Sequence, residues 1–284
     1  MDREGTKGGL PLIEYVMALE NKTSRARGIE VQAALEAMGI NAEIQERRFP
    51  RTTNLVVDFT RDPSERRLLF SAHYDVIKNR PGANDNASSV AVLLGLCQQL
   101  KNVRAPVRVV FFDREEAWLR TPFVKLGLLG SLYYVFRNDL HNIEAVYNLE
   151  FCGQGDSLSI WPVKGKKRNV LAVKIAEKAA ATLKMEVRLA HVPWLLLSSD
   201  HLSFRLRGVS NSITLSLLPS DQLPVLEQFV SNLHVLKLLF GHRPTMPGVL
   251  FRVHKDSDVS SRLSEDSLKL MLSLIVGIIQ SYDF

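Results

Sequence analysis

Five short stretches of the chain carry side chains able to bind a metal or move protons. In Ser71-Ala72-His73-Tyr74-Asp75, which closes an apolar run, residues two apart on a strand share a face, so His73 and Asp75 point the same way. A carboxylate beside a histidine fixes the ring tautomer and turns the free nitrogen toward a metal, although such a pair also serves purely structural ends. Asp85 lies in the turn-rich Pro81-Gly82-Ala83-Asn84-Asp85-Asn86-Ala87-Ser88, at the mouth of an apolar helix. There it is either a helix N-cap or a carboxylate presented at the end of a sheet, where open α/β proteins place their ligands. In Phe111-Phe112-Asp113-Arg114-Glu115-Glu116, adjacent carboxylates follow a buried strand, which is costly without a positive partner. A metal ion supplies that charge and lets one carboxylate ligate while its neighbour moves protons. Glu150 closes Tyr147-Asn148-Leu149, and His254 stands alone late in the chain.

These residues need elements to hold them. Helical patterns at 10–39 break at Asn21-Lys22-Thr23-Ser24 and stop at Gly39. Strand-like runs follow at 42–49, 54–60, 68–72, 107–112, 144–149, 158–161, 187–192 and 212–216. Helix-like runs at 87–100, 128–136, 169–183, 223–240 and 264–281 fall among them. This alternation predicts an α/β fold, a three-layer α/β/α sandwich on a mixed, largely parallel central sheet, in one domain over 1–284.

Composition narrows the partners. Hydrophobic and charged fractions of 46% and 23% suit a globular core. The net charge of +6 is scattered, and its densest run, Lys164 to Arg168, lacks aromatic stacking partners, so nucleic acid is not expected. The apolar run 268–279 is too short to span a bilayer, which takes ~20 residues, so no membrane insertion is expected. The first residues do not read as a signal peptide, and two cysteines, Cys97 and Cys152, suit a reducing compartment; the expectation is a cytoplasmic protein. His141, His191, His234 and His242 match no motif. Ser198-Ser199-Asp200-His201 lacks the Gly-x-Ser-x-Gly elbow of a serine nucleophile.

Taken together, His73-Tyr74-Asp75, Gly82 to Ser88, Glu115-Glu116, Gly130-Ser131, Ser199-Asp200-His201 and His254 resemble the co-catalytic zinc aminopeptidases, over about residues 53 to 284. The resemblance implies two zinc ions: His73 and Glu150 on one, Glu116 and His254 on the other, Asp85 bridging. It makes Asp75 the residue that orients His73, and Glu115 the general base that takes a proton from water and hands it to the leaving amine. Asp200 and His201 would shape the substrate pocket. It also implies a cis peptide between Asp85 and Asn86, and a peptide substrate trimmed from its N-terminus.

Three departures qualify that picture. Glu150 stands where many relatives have Asp. Residues 117–127 lengthen the link to Gly130-Ser131, and Glu115-Glu116-Ala117-Trp118-Leu119 is similar to glutaminyl cyclases, single-zinc relatives that cyclise N-terminal glutamine. The insertion at 220–253 reads as a lid over the site or as a dimer surface, which leaves the oligomeric state open between monomer and homodimer. The alternatives are a cyclase-like transferase with one zinc at Asp85, Glu116 and His254, and a non-catalytic binding domain on the same fold. Carboxypeptidase activity and the native metal also stay open.

Overall fold

The computed structural model describes residues 10–60, 62, 64–116, 119–120, 125–162, 170–190, 199–232 and 245–283. Its strands are β1 (Glu43–Arg47), β2 (Thr52–Asp58), β3 (Arg67–His73), β4 (Val107–Phe112), β5 (Leu119–Arg120), β6 (Lys125–Leu126), β7 (Ile143–Leu149), β8 (Ser157–Trp161), β9 (Val187–Leu189) and β10 (Ser212–Leu218). Eight of them form one sheet in the order β1-β2-β4-β3-β7-β10-β8-β9, while β5 and β6 pair with each other. The centre, β4-β3-β7-β10, is parallel, and so is β8 with β9. The pairs β1–β2, β2–β4 and β10–β8 are antiparallel.

The two faces of the sheet are read directly from the alternation of its strands. Leu68, Phe70 and Ala72 of β3, with Val107, Val109 and Phe111 of β4, enter the larger core. That core also takes side chains of α1 (Leu12–Leu19), α2 (Ser24–Ala37), α3 (Ser88–Leu100), α5 (Leu171–Thr182) and the C-terminal helix Glu265–Gln280. The intervening Leu69, Val110 and Phe112 face the opposite core, with Tyr134 of α4 (Leu129–Arg137) and Phe204 of α6 (His201–Leu206). Burial on both faces explains why β3 and β4 read as nearly continuous apolar runs. Helix boundaries follow local chemistry: the Thr23 side chain accepts from the Ala26 N–H at the start of α2, and Gly39 takes φ +76° just beyond its end.

One sequence alternative is resolved here. No side chain caps α3, and Asp85 lies before it in a distorted turn with a cis Asp85–Asn86 peptide, so the N-cap reading fails. Cys97 and Cys152 are both buried and free, with the Ser89 hydroxyl donating to Cys152 Sγ at 3.2 Å.

In the insertion, α7 (Leu223–Asn232) and the short helix Gly248–Arg252 bury Leu223, Leu226, Phe229, Val249 and Leu250 against Phe151, Trp161 and Leu218. This small third core pins both ends of the insertion to the β8–β10 side of the sheet. Residues 233–244, the basic run 164–168, and His191, His234 and His242 lie outside the described residues; His141 is exposed. Among the described residues, no helix is long and apolar enough to cross a membrane.

Candidate metal centre

Three adjacent parallel strands deliver the chemistry to one edge of the sheet. His73 ends β3 and lies in register with Phe112 at the end of β4, three residues before Glu115; Ser71 of β3 pairs with Asn148 of β7, two residues before Glu150. The turn ahead of α3 swings Asp85 over the same edge, and His254 reaches in from the far side with a left-handed φ of 61°. Arg114 (φ 56°) and Phe151 (φ 55°) are left-handed as well. Non-glycine residues seldom hold this conformation, and here they flank Glu115 and Glu150.

The geometry falls into two triads. His73 Nε2 is 3.5 Å from both Asp85 Oδ1 and Glu150 Oε2. His254 Nε2 is 2.6 Å from Glu116 Oε1 and 3.3 Å from Asp85 Oδ2. Within each triad the candidate ligand atoms lie within 4.8 Å of one another, and Asp85 belongs to both, one oxygen turned to each. All five sequence-predicted ligands therefore converge. Asp75 is beside them: its Oδ1 is 3.2 Å from His73 Nδ1, although the ring N–H is not aimed at it. Its two oxygens instead accept the backbone N–H groups of Glu115 (3.0 Å) and Glu116 (3.1 Å), so Asp75 also fixes the loop that carries both glutamates.

Electrostatics show what the centre lacks. Burial opposes protonation of His73, yet the neighbouring Glu150, Asp75 and Asp85 carboxylates outweigh it and hold its pKa well above the usual imidazole value. Burial likewise opposes charge on His254, but Asp85 and Glu116 raise its pKa to about 9. Asp85 is held well below the carboxylate range, because His254 and His73 outweigh its burial. Glu115 is pushed well above its ordinary value by desolvation and by Glu116, Glu150 and Asp200, against the pull of His73. Both rings are thus drawn toward the charged form by the carboxylates around them. The residues fit zinc: imidazole nitrogen and carboxylate oxygen are among its usual donors, and the excess of carboxylates is the imbalance a divalent cation neutralises.

Asp200 is fully buried with Ser131 beside its carboxylate, and burial raises its pKa to about 7. Its charge acts on Glu115, which places it at the same centre. His201 is tied to the sheet: its Nδ1 is 2.7 Å from Thr214 Oγ1 on β10, and burial lowers its pKa to about 3, leaving a neutral ring. The Ser199 hydroxyl donates to Glu150 Oε1 at 2.7 Å and so orients that carboxylate.

Three further residues support the centre. Asp258 accepts the N–H groups of Asn84 (2.8 Å) and Asp85 (3.1 Å), fastening the turn that presents Asp85. Arg27, fully buried in α2, donates to the carbonyls of Leu19, Pro81 and Gly82, tying α1 to the same turn. Gly130 lets α4 begin against the glutamate loop: a Cβ there would sit 2.0 Å from the Asp113 carbonyl oxygen. Only Gly130 stood in a sequence motif. Arg27 is one charged residue on an ordinary helix, and Asp258 carries no pattern of its own.

The sequence profile of Peptidase family M28 matches residues 54–278, a span that holds both triads. The chain belongs to Peptidase family M28. Aminopeptidase YwaD of Bacillus subtilis (strain 168) is 38% identical to this M28 chain over 91 residues, 30% of the chain and 18% of that protein. A vacuolar membrane protease of Candida glabrata is 28% identical over 113 residues, 39% of the chain and 11% of that protein. The matches thus span less than a fifth of the length of these curated relatives. Among solved structures, Porphyromonas gingivalis glutaminyl cyclase superposes with a TM-score of 0.71 at 18% identity, covering 95% of this chain and 96% of that one. A zinc aminopeptidase from Bacillus subtilis gives 0.58 at 21% identity, covering 81% and 49%. These superpositions establish the shared α/β fold.

Proposed function

We propose that this M28 chain is a zinc-dependent exopeptidase that hydrolyses the N-terminal residue of peptides. The observation that carries the reading is the pair of His/carboxylate triads sharing Asp85, with Glu115 set beside them. His73 and Glu150 would hold one ion, Glu116 and His254 the other, and Asp85 both. Bound there, zinc supplies Lewis acidity that polarises a scissile carbonyl and acidifies water. Glu115 takes the proton at its carboxylate and returns it to the leaving amine. Asp75 keeps the Glu115-Glu116 loop in register for that transfer. Asp200, close enough to act on Glu115 and fully buried, is the group that would meet the charged end of the substrate, with His201 anchoring it to β10.

The similarity to the B. subtilis aminopeptidase and zinc aminopeptidase supports this reading. A cyclase-like reaction at Asp85, Glu116 and His254 alone leaves the His73–Glu150 half of the centre without a task, and the intact ligand set argues against a non-catalytic domain. The test is mass spectrometry of a short peptide beginning with glutamine, incubated with zinc-loaded protein. Loss of the whole first residue is expected; loss of ammonia alone, above a protein-free control, would establish the cyclase instead. Glu115→Gln should lower kcat at least ~10³-fold while zinc content by elemental analysis stays unchanged. Substantial retained turnover would remove Glu115 from the mechanism.

A further inference from the structure

On the flank of the metal centre away from Glu150 and Asp200 lies an open cleft of about 580 Å³, within the ~300–1,000 Å³ range of ligand pockets. It reaches Asp75 and Glu116, and Thr53 and Leu55 of β2 line it further out. Because β2 runs antiparallel to β4, with Leu55 opposite Phe111, the start of β2 stands at the sheet edge where β4 delivers its glutamates. The cleft is therefore a continuation of the centre along that edge, toward β1 and α2.

Its charge is unusual for a wall next to so many carboxylates. Arg25, Arg51, Lys78 and Arg114 all line it. Arg25, Arg51 and Lys78 are exposed, and none of the three has an ion-pair partner among the described residues. Arg114 is held differently, its Nε donating to the Arg51 carbonyl. The acidic residues of the same cleft are mostly engaged. Asp75 accepts two backbone N–H groups, Asp113 Oδ2 accepts the Thr53 N–H at 3.1 Å, and Glu116 contacts His254. Glu46 alone is exposed among them, so cations dominate the solvent-facing charge.

We infer that this cleft is a subsite for a carboxylate carried by the peptide beyond the scissile bond, with Arg25, Arg51, Lys78 and Arg114 as its counter-charges. The inference rests on the exopeptidase reading and gives it a substrate class: short peptides whose C-terminal carboxylate, or an acidic side chain, falls within one or two residues of the cleavage point. A residue of extended chain spans ~3.3–3.6 Å, so a longer neutral peptide would carry its terminal carboxylate past the cleft.

Three peptides test it: Leu-Ala-Ala, Leu-Ala-Ala-amide and Leu-Asp-Ala-amide. The wild-type protein should hydrolyse the free acid with kcat/KM at least tenfold above its amide, mostly through KM, and the preference should shrink as salt is raised. Recovery with Leu-Asp-Ala-amide would assign the site to acidic side chains, and no recovery to the main-chain terminus. In the Arg25→Gln/Arg51→Gln/Lys78→Gln variant the ratio of acid to amide kcat/KM should fall most of the way toward one, with Arg114 as the remaining counter-charge; Arg51→Lys alone should keep the preference. Calorimetry with the leaving fragments Ala-Ala and Ala-Ala-amide reads the same discrimination without turnover. Preferential binding of Ala-Ala with no peptide hydrolysed would keep the subsite and overturn the exopeptidase reading. Equal binding and equal hydrolysis of acid and amide by the wild type would overturn the subsite.

Discussion

Glu150 is one methylene longer than the aspartate that the aminopeptidase resemblance leads one to expect at this position, and its neighbours hold the longer side chain in place. Ser199 donates to its Oε1 at 2.7 Å and Asn148 Nδ2 approaches the same oxygen at 3.4 Å, while Oε2 is left 3.5 Å from His73 Nε2. Asn148 is itself held by Ser71, whose hydroxyl donates to its Oδ1 at 2.9 Å, so the arrangement extends back into β3. One oxygen is occupied and the other is presented. Partners that orient a ligand in this way commonly change metal affinity 10–100-fold. Ser199→Ala should accordingly weaken one of two zinc affinities about tenfold in calorimetric titration of metal-stripped protein, and leave the site at Asp85, Glu116 and His254 nearly unchanged. Ser199→Thr, which keeps the hydroxyl, should restore most of the loss. Unchanged affinity at both sites in Ser199→Ala would show that Glu150 orients itself.

At the scale of elements, the centre depends on a turn that no regular structure supports. Residues 82–87 are held from outside, by Asp258 on the backbone N–H side and by Arg27 on the carbonyl side. Desolvation lowers the Arg27 pKa to about 10 against the pull of Asp85, Asp75 and Asp258, and the group stays charged at neutral pH. Arg27→Leu would leave buried carbonyls of Leu19, Pro81 and Gly82 without their donor, at a cost on the order of 3 kcal/mol. Urea unfolding of the metal-stripped variant should show that loss; a stability equal to wild type would mean the turn holds itself. This dependence explains what was legible in the sequence. The β3 and β4 runs, the helices behind them and the ordered ligands at strand ends were readable, since period-two burial and strand-end placement are local patterns. Asp258 and Arg27 act across long sequence separations through backbone groups, which leave no mark in composition or spacing. The Asp75 contacts were half legible: its pairing with His73 follows from strand alternation, but its grip on Glu115 and Glu116 needs the register of β3 against β4.

For the whole molecule, the same concentration of charge sets how stability varies with pH. In the metal-free protein Asp113 and Asp258 have pKa values of about 6, Asp200 about 7 and His254 about 9; burial raises the three carboxylates, and Asp85 and Glu116 overcome burial at His254. All four lie above their unfolded values, so between pH 4 and 9 the native state holds more protons than the unfolded chain. Stability then falls as pH rises. The carboxylates become costly as pH passes through about 6 to 7, and the His254 ion pairs, fully formed below its unfolded value of 6.5, are lost through about 9. Asp85 has the opposite sign, being depressed, but its contribution is lost only as pH drops below the ordinary carboxylate value of 3.8. Zinc reverses the balance, because its ligands must be ionised carboxylates and neutral imidazoles. The gap in thermal midpoint between zinc-loaded and chelator-stripped protein should therefore widen by several degrees from pH 5.5 to 9, and zinc binding at pH 7 should release protons, measurable by titration calorimetry in buffers of different ionisation enthalpy. A gap that stays constant across that range, with no proton release, would mean that the buried carboxylates and the two histidines do not share a metal.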